Sequence, residues 1–407
     1  MNIDHCQLCK SAKLEKVLDL GLHPLADTFL RDEEEARTLP RYPLQMLLCL
    51  SCGHAMNSFV VPKEERYQEH EYSYDSSNSQ AAIEHFNEMA KEAASRVQLS
   101  SRDLVVDIGG NVGTLLQAFK MVSGAQILNI EPAGNIAALA EKNGVPTVSD
   151  FWNEASANRV IAEGKAKVIV ITNAFNHIDA LDAFMEHVVR ALTPGGVFVI
   201  EVPYLKTLVE RDAFDTMYLE HVSYFAVRPL RQYFRKFNLF ILDVSHNDYM
   251  GGSLRLTVGA GTETKKVEEY IHKEEGFKLF ETTTYDTLRV RIDSFKKSLL
   301  SQLARAKEKG GKIIGVGAAT KGNTLLNFCG IDASLLEFVT DSSLLKIGKF
   351  TPGSAIPIKS DDAITTDTTH ALILPWNIAD LLKKRLSPKY PNLAFIVPHM
   401  AESSHEA

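Results

Sequence analysis

Between residues 103 and 260, short apolar runs alternate with amphipathic or polar stretches, and few architectures accept that pattern. The runs are DLVVDIGG, AQILNIEP, VIVITNAF and GVFVIEVP. Alternation of this kind builds a parallel sheet covered by helices, so the expected fold class is α/β. The segment ends differently: FILDVS (240–245) and SLRLTV (253–258) are joined by a short Gly-containing connection with no helical pattern. This predicts a terminal antiparallel hairpin. At 407 residues, 45% hydrophobic and 23% charged, the chain can bury two or three cores, which excludes disorder as its main state.

The flanks add further units. Residues 1–70 lack a long helical period and carry two C-x-x-C pairs, Cys6/Cys9 and Cys49/Cys52, which predicts a small loop-rich module. Five cysteines are too few for a disulfide scaffold, whereas four thiolates in tetrahedral reach form the closed shell of a structural zinc site. His5, His23 or His54 could replace a sulfur, and four buried reduced cysteines are the plainer alternative. Cys329 stands alone and is expected in the core. An amphipathic helix is expected from Ser79 to Leu99, leading into a core at 71–260. Residues 261–310 read as a bridging helix with the stripe Leu288, Ile292, Phe295, Leu299 and Leu303. From Lys312 a second alternation (KIIGVGAA, LEFVTD, HALILPW) predicts a small Rossmann-like α/β domain over 311–407.

The turn DIGGNVG (107–113) follows an apolar run and precedes a helical pattern, so its glycines let backbone approach a ligand. Glu131, ending the next run, is placed to bind ribose hydroxyls. Spacing alone makes a nicotinamide cofactor the default. Asp107 at the strand end, Asn111 in the turn and the terminal hairpin instead resemble the class I S-adenosylmethionine (SAM) methyltransferase fold. That resemblance implies Asp107 and Gly109 at the cofactor's amino-acid part and Glu131 at its ribose. It sets Asp150, Phe151 and Trp152 around the adenine, with Asn173 closing the far side.

The segment EVPYLKTLVERDAFDTMYLEHVSYFAV (201–227) concentrates Tyr204, Tyr218, Glu220, His221 and Tyr224. A neighbouring Glu220 could raise the basicity of His221, suiting it to general-base work, and His177 in NAFNHID should reach the same sheet edge. An ion pair on a helix is the bland alternative. EYSYDSSNS (71–79) is expected to fold over the cofactor as a lid, bringing Tyr72 or Tyr74 near the transferred methyl; the alternative is an exposed linker. In the carboxyl-terminal domain, Lys321 beside Gly322 and Asn323 offers a cation and amides to a diphosphate, with Asp341 mimicking a ribose acid. Spacing there leaves a second nicotinamide domain and a degenerate fold equally open.

The order CxxC…PLxxxxCxxCGH, YxYxSSxS, DIGGNxG, EVPY…FDTxYxEHxSYF, GGSLR, KGNTLLN and PGxxIPI resembles the C-methyltransferases of nucleotide-deoxysugar biosynthesis over almost the whole chain. Those enzymes use SAM to methylate a carbon, commonly C3, of a dTDP-linked 4-keto sugar. The resemblance implies His221 as base, Tyr218 and Glu220 around the sugar, and His177 and a tyrosine of 72–74 at the reacting centre. It sets Ser76 and Ser79 in the cofactor lid, and Tyr204, Lys321, Asn323 and Thr324 on the nucleotide-sugar cleft. The zinc it implies is structural. Leu219, Met250 and Ala319 depart from the family pattern, which bears on the sugar more than on the reaction.

A net charge of -7 with scattered basic residues gives no footprint for nucleic acid, and no apolar run suits a membrane helix. A cytoplasmic enzyme acting on a nucleotide sugar is the expectation, its oligomeric state open. A sugar O- or N-methyltransferase, a non-catalytic zinc-containing binding protein and, more weakly, a nicotinamide oxidoreductase are the alternatives.

Overall fold

The computed structural model describes residues 1–398; the last nine positions of the expected 311–407 domain lie outside the described residues. The amino-terminal module is less loop-rich than its sequence suggests. Strands β1 (Leu14–His23), β2 (Tyr42–Cys49) and β3 (Ala55–Asn57) pair antiparallel, with short helices α1 (Glu33–Arg37) and α2 (Lys63–Tyr67) beside them. Alternate residues of β2 (Leu44, Met46, Leu48) are fully buried, a two-residue period that Tyr42 and Leu47 on the other face mask in the sequence.

Helix α3 (Gln80–Val97) turns Ala82, Phe86, Met89, Ala90 and Ala93 inward and ends on Gln98 in the left-handed region. The central unit then runs β4 (Leu104–Ile108), α4 (Thr114–Ser123), β5 (Gln126–Ile130), α5 (Gly134–Lys142), β6 (Thr147–Val148), α6 (Glu154–Ala162), β7 (Ala166–Thr172), α7 (Leu181–Ala191) and β8 (Leu192–Pro203). After α8 (Leu205–Glu210), β9 (Ser223–Tyr224) and α9 (Val227–Arg235), the antiparallel hairpin β10 (Phe240–Asn247) and β11 (Ser253–Gly259) closes it. The sheet order is β10-β11-β8-β7-β4-β5-β6, parallel from β8 to β6, with β11 running antiparallel to β8. All five residues of β4 are buried, as expected of a central strand covered on both faces.

The connector is two helices rather than one, α10 (Lys265–Gly276) and α11 (Thr282–Glu308). Lys278 lies in the left-handed region (φ 58) and breaks the run while Leu279 is buried. The rest is a five-stranded parallel sheet of order β14-β13-β12-β15-β16, from β12 (Lys312–Val316), α12 (Thr320–Cys329), β13 (Val339–Thr340), β14 (Ile358–Lys359), β15 (Thr368–Ile373), α13 (Ala379–Leu386) and β16 (Ala394–Ile396). Among the described residues no helix is long and apolar enough to cross a membrane.

Two features join these units. Strand β9, though it lies between β8 and β10 in the chain, joins the amino-terminal sheet and pairs with β3 (Ala55 with Tyr224, Met56 with Ser223). Asp27, in the loop after β1, is a junction. Its carboxylate accepts from Ser73 Oγ (2.9 Å), the Ser73 N–H (3.3 Å) and Thr320 Oγ1 (2.8 Å), while its own N–H donates to Glu220 Oε1 (2.9 Å). Thr320 opens α12, so the buried carboxylate faces the positive end of a helix dipole. Asp27→Ala leaves two hydroxyl donors unpaired, an expected cost of about 1–3 kcal/mol read as a lower melting temperature by calorimetry; an unchanged transition would remove Asp27 from that role.

Candidate active site

The β4–α4 turn and the end of β5 form one end of the site. Gly109 (φ +69) and Gly113 (φ +82) are left-handed, and a Cβ on Gly110 would lie 2.4 Å from Asn129 Oδ1 and 2.8 Å from the Asp107 carboxyl. Asn111 is also left-handed (φ 55). Its side chain accepts from the Ser76 N–H and donates to the Tyr74 carbonyl, both at 3.0 Å, so the 71–79 segment is laid over the turn. The segment is pinned again where Asn135 bonds both backbone groups of Tyr72 (3.3 and 2.9 Å). Ser76 Oγ meets Thr114 Oγ1 at 3.2 Å, whereas Ser79 is exposed and makes no side-chain cap to α3.

Glu131 sits at the end of β5, accepting from the Asn111 N–H (3.0 Å) and the Ala133 N–H (2.9 Å), and burial pushes it up to about 7. Asp107 is 1% exposed, its Oδ1 is without a partner among the described residues, and burial, then the Glu131 charge, hold it well above the usual carboxylate range. An uncompensated buried carboxylate in a glycine cradle is suited to a ligand carrying donors and positive charge, as SAM does. Asn173 directly follows β7 with φ 51, its N–H donating to the Glu201 carbonyl (2.7 Å). Asp150 accepts from the Phe151 N–H and Asn153 Nδ2, and Lys63 stands 4.5 Å over the Phe151 ring. Trp152 corrects the expectation of an adenine flank: its indole donates to the Phe184 carbonyl (3.2 Å) and its ring packs into the core, where burial is more favourable for so large a side chain.

Next to this end lies a cluster of rings. His221 stands 3.7 Å from Tyr218 and 4.9 Å from His177, centroid to centroid, and its Nδ1 is 2.8 Å from the Thr216 carbonyl. Burial, reinforced by His177, holds the imidazole well below its usual range. Glu220 corrects a second expectation. It turns away from His221 to accept the Asp27 N–H, leaving Oε2 without a partner, and burial pushes it up to about 7. It therefore cannot raise the basicity of His221 as a paired carboxylate. Sequence reasoning missed Asp27, Arg66 and Tyr67. Arg66 is buried and donates to the His177 carbonyl (2.8 Å), and the Tyr67 hydroxyl hydrogen-bonds His177 Nδ1. Both sit on α2, too short to show a period, and the only advance signal was a charged residue that the fold buries.

The carboxyl-terminal domain packs against the segment that carries His221. Lys321 Nζ donates to the Met250 carbonyl (3.1 Å) and stands 5.2 Å from the Trp376 ring; burial lowers its pKa, opposed by Asp215. Trp376 donates to Asp215 Oδ2 at 2.7 Å. Three expected cleft residues have other partners. Asn323 donates to the Ala26 carbonyl (2.7 Å), Thr324 to the Met217 carbonyl (2.8 Å) and Tyr204 to Glu274 (2.9 Å). All three are buried and these bonds join units of the chain, while Asn323 Oδ1 is without a partner among the described residues.

The four expected metal ligands converge: all four Sγ atoms of Cys6, Cys9, Cys49 and Cys52 lie within 4.8 Å of one another, with Cys6–Cys52 at 3.6 Å and Cys9–Cys49 at 3.5 Å. Sulfurs about 3.8 Å apart are what a tetrahedron with 2.3 Å bonds demands, so the residues fit zinc. Histidine does not complete the set. His23 bonds the Leu20 carbonyl, His54 meets Ser223 Oγ (3.2 Å), and His5 is exposed beside Asp4.

A parallel sheet ending in an antiparallel hairpin, with an acid-and-glycine turn at its centre, defines a class I SAM-dependent methyltransferase. Family models match along the chain: a zinc binding domain over residues 6–67, a methyltransferase domain over 77–244 and a C-methyltransferase C-terminal domain over 248–398. The chain is 30% identical over 383 residues to the C-methyltransferase NovU of Streptomyces niveus, covering 93% of this chain and 90% of that protein. It is also similar to a SAM-dependent methyltransferase from Clostridium acetobutylicum ATCC 824 (14% identical, TM-score 0.37, 46% of this chain and 94% of that one). A third similarity is to magnesium protoporphyrin IX methyltransferase from Synechocystis PCC 6803 with bound SAM (10%, TM-score 0.34, 44% and 79%). The chain belongs to the C-methyltransferase family, and its cofactors are SAM and a structural zinc.

If Glu131 is the ribose acceptor that the resemblance implies, it must be ionised to take two hydroxyl donors. With Glu131 at about 7, the Kd for SAM by calorimetry is expected to rise about 10-fold from about pH 8 to about pH 6. Glu131→Gln should flatten that dependence, and a flat profile in the unmodified protein would contradict the assignment.

Proposed function

We propose that the chain methylates C3 of a nucleoside-diphosphate 4-keto-6-deoxysugar, with His221 removing the C3 proton. The observation that carries this reading is the bond from His221 Nδ1 to the Thr216 carbonyl at 2.8 Å. A carbonyl oxygen only accepts, so the proton sits on Nδ1 and Nε2 keeps its lone pair. Burial keeps the ring neutral at neutral pH, so the base is already in its reactive form. A ketone at C4 acidifies the neighbouring C3–H, and one positioned base then suffices to form an enolate.

The other residues supply placement. Asp107, Glu131 and the glycine turn would hold SAM, which when bound supplies an electrophilic methyl group on a sulfonium. The 71–79 segment, tied down by Asn111, Asn135 and Asp27, excludes water over the reacting atoms. His177, 4.9 Å from His221, offers an N–H to the C4 oxygen as charge develops there. Glu220 Oε2 is available to a sugar hydroxyl, and Lys321 beside Trp376 offers a cation and a stacking face to the nucleotide diphosphate. Catalysis is then largely orientation of two bound substrates.

The test incubates the protein with dTDP-4-keto-6-deoxyglucose in heavy water and follows the sugar by mass spectrometry. Deuterium is expected at C3 without SAM, and a methyl gain with it. His221→Ala should bind SAM normally and lose both signals by about 10²-fold or more. Wild-type turnover in that variant would remove the base from His221. Methyl gain with the C3 hydrogen retained would move the reaction to an oxygen or nitrogen.

A further inference from the structure

We propose that Tyr67 is a positioning residue for methyl transfer: its hydroxyl fixes His177 as the Nε2–H tautomer, leaving one N–H donor beside the Nε2 lone pair of His221. This rests on the reading of His221 as base and of His177 as the donor to the C4 oxygen.

His177 ends a single 3-10 turn, Phe175–His177, after β7, and such a turn cannot fix a ring by itself. The amino-terminal module holds it from outside. Arg66 donates to the His177 carbonyl (2.8 Å) and to the Val61 carbonyl (3.0 Å), tying the turn to the chain entering α2. The next residue, Tyr67, stacks its ring 6.0 Å from the imidazole at 24° and bonds Nδ1 through its hydroxyl.

Proton counting then assigns the tautomer. A neutral imidazole carries one N–H, and a phenol carries one O–H. If Tyr67 donates to Nδ1, the imidazole proton sits on Nε2. The reverse arrangement leaves two groups unpaired, the Tyr67 O–H, whose other neighbour Arg66 only donates, and the Nε2 lone pair, where this one leaves only the Nε2–H. Burial favours both neutral forms, lowering His177 to about 3 and raising the phenol above its usual value. His177 Nε2 is buried and has no partner among the described residues. It is a donor held without an acceptor, a costly arrangement that a substrate oxygen relieves.

The two rings are thus oppositely prepared. Thr216 puts the His221 proton on Nδ1 and bares Nε2; Tyr67 puts the His177 proton on Nε2. A donor and a lone pair on neighbouring imidazoles match the C4 oxygen and the C3 hydrogen of one ketone. A wrong tautomer at His177 would present a lone pair to the developing oxyanion.

Tyr67→Phe keeps the ring and removes only the hydroxyl. In protein labelled with 15N-histidine, the His177 signal, identified by its loss in His177→Gln, is expected to show a single Nε2–H tautomer at neutral pH without any ligand. In Tyr67→Phe it should become a mixture. With SAM and dTDP-4-keto-6-deoxyglucose, kcat should fall about 10- to 100-fold while the KM for SAM holds, because only stabilisation of the oxyanion is lost. A proton on Nδ1 in the unmodified protein, or a wild-type kcat in Tyr67→Phe, would overturn the proposal. If the unmodified protein methylated no 4-keto sugar, the substrate reading would fail while the tautomer measurement still decided the role of Tyr67.

Discussion

The active site depends on the backbone pairing of two very short strands, β3 and β9. Residues 204–226 contain a six-residue helix, one 3-10 turn and a two-residue strand, too little local hydrogen bonding to hold the segment that carries His221 in place. The hold comes from outside. Asn57 accepts the Tyr224 hydroxyl (2.8 Å), donates through its backbone to the Val222 carbonyl (2.9 Å) and through its side chain to the Tyr218 carbonyl (3.2 Å). Ser223 Oγ donates to Gln7 Oε1 (2.7 Å), a residue between the first two cysteines. From the other side Thr324 grips the Met217 carbonyl. The zinc module is therefore a wall of the site as well as a folded unit of its own.

Electrostatically the site is built by burial. Asp107, Glu131 and Glu220 are raised and His177 and His221 lowered, with desolvation the largest cause in each case. Each group is pushed toward its neutral form, which suits chemistry that creates and quenches charge within one cycle. In the proposed reaction a neutral histidine takes a carbon-bound proton, a neutral histidine meets an oxyanion, and carboxyls at the cofactor end meet a cationic ligand. The unpartnered atoms of Asp107, His177 and Glu220 are concentrated where ligands are expected.

What the sequence made legible was whatever repeats or keeps spacing. Apolar alternation showed the central sheet and its hairpin, the cysteine pairs showed the metal site, and the glycine turn with its two acids pointed to the end of the sheet where the structure buries both carboxyls. The strands β1 to β3 were hidden because bulges break the alternation of β1, apolar residues stand on both faces of β2, and β3 is only three residues long. Asp27, Arg66 and Tyr67 were hidden for another reason. Each meets its partners across long sequence separations, Asp27 with Thr320 above all, and nothing local marks a residue whose role is set by docking of distant units. The same blindness hid the partners of Thr324 and Tyr204, whose hydroxyls looked available and are committed to other parts of the chain, and of the Asn323 amide N–H. Trp152 looked like a ligand platform and is core.

The most direct test of this account is amide hydrogen exchange by mass spectrometry on the whole protein, before and after zinc is withdrawn with a chelator. Loss of the metal should speed exchange in residues 216–226 together with residues 55–57, although no cysteine ligand lies in the first of these segments. Protection of 216–226 unchanged by chelation, with 55–57 opened, would contradict the claim that the zinc module holds the catalytic segment.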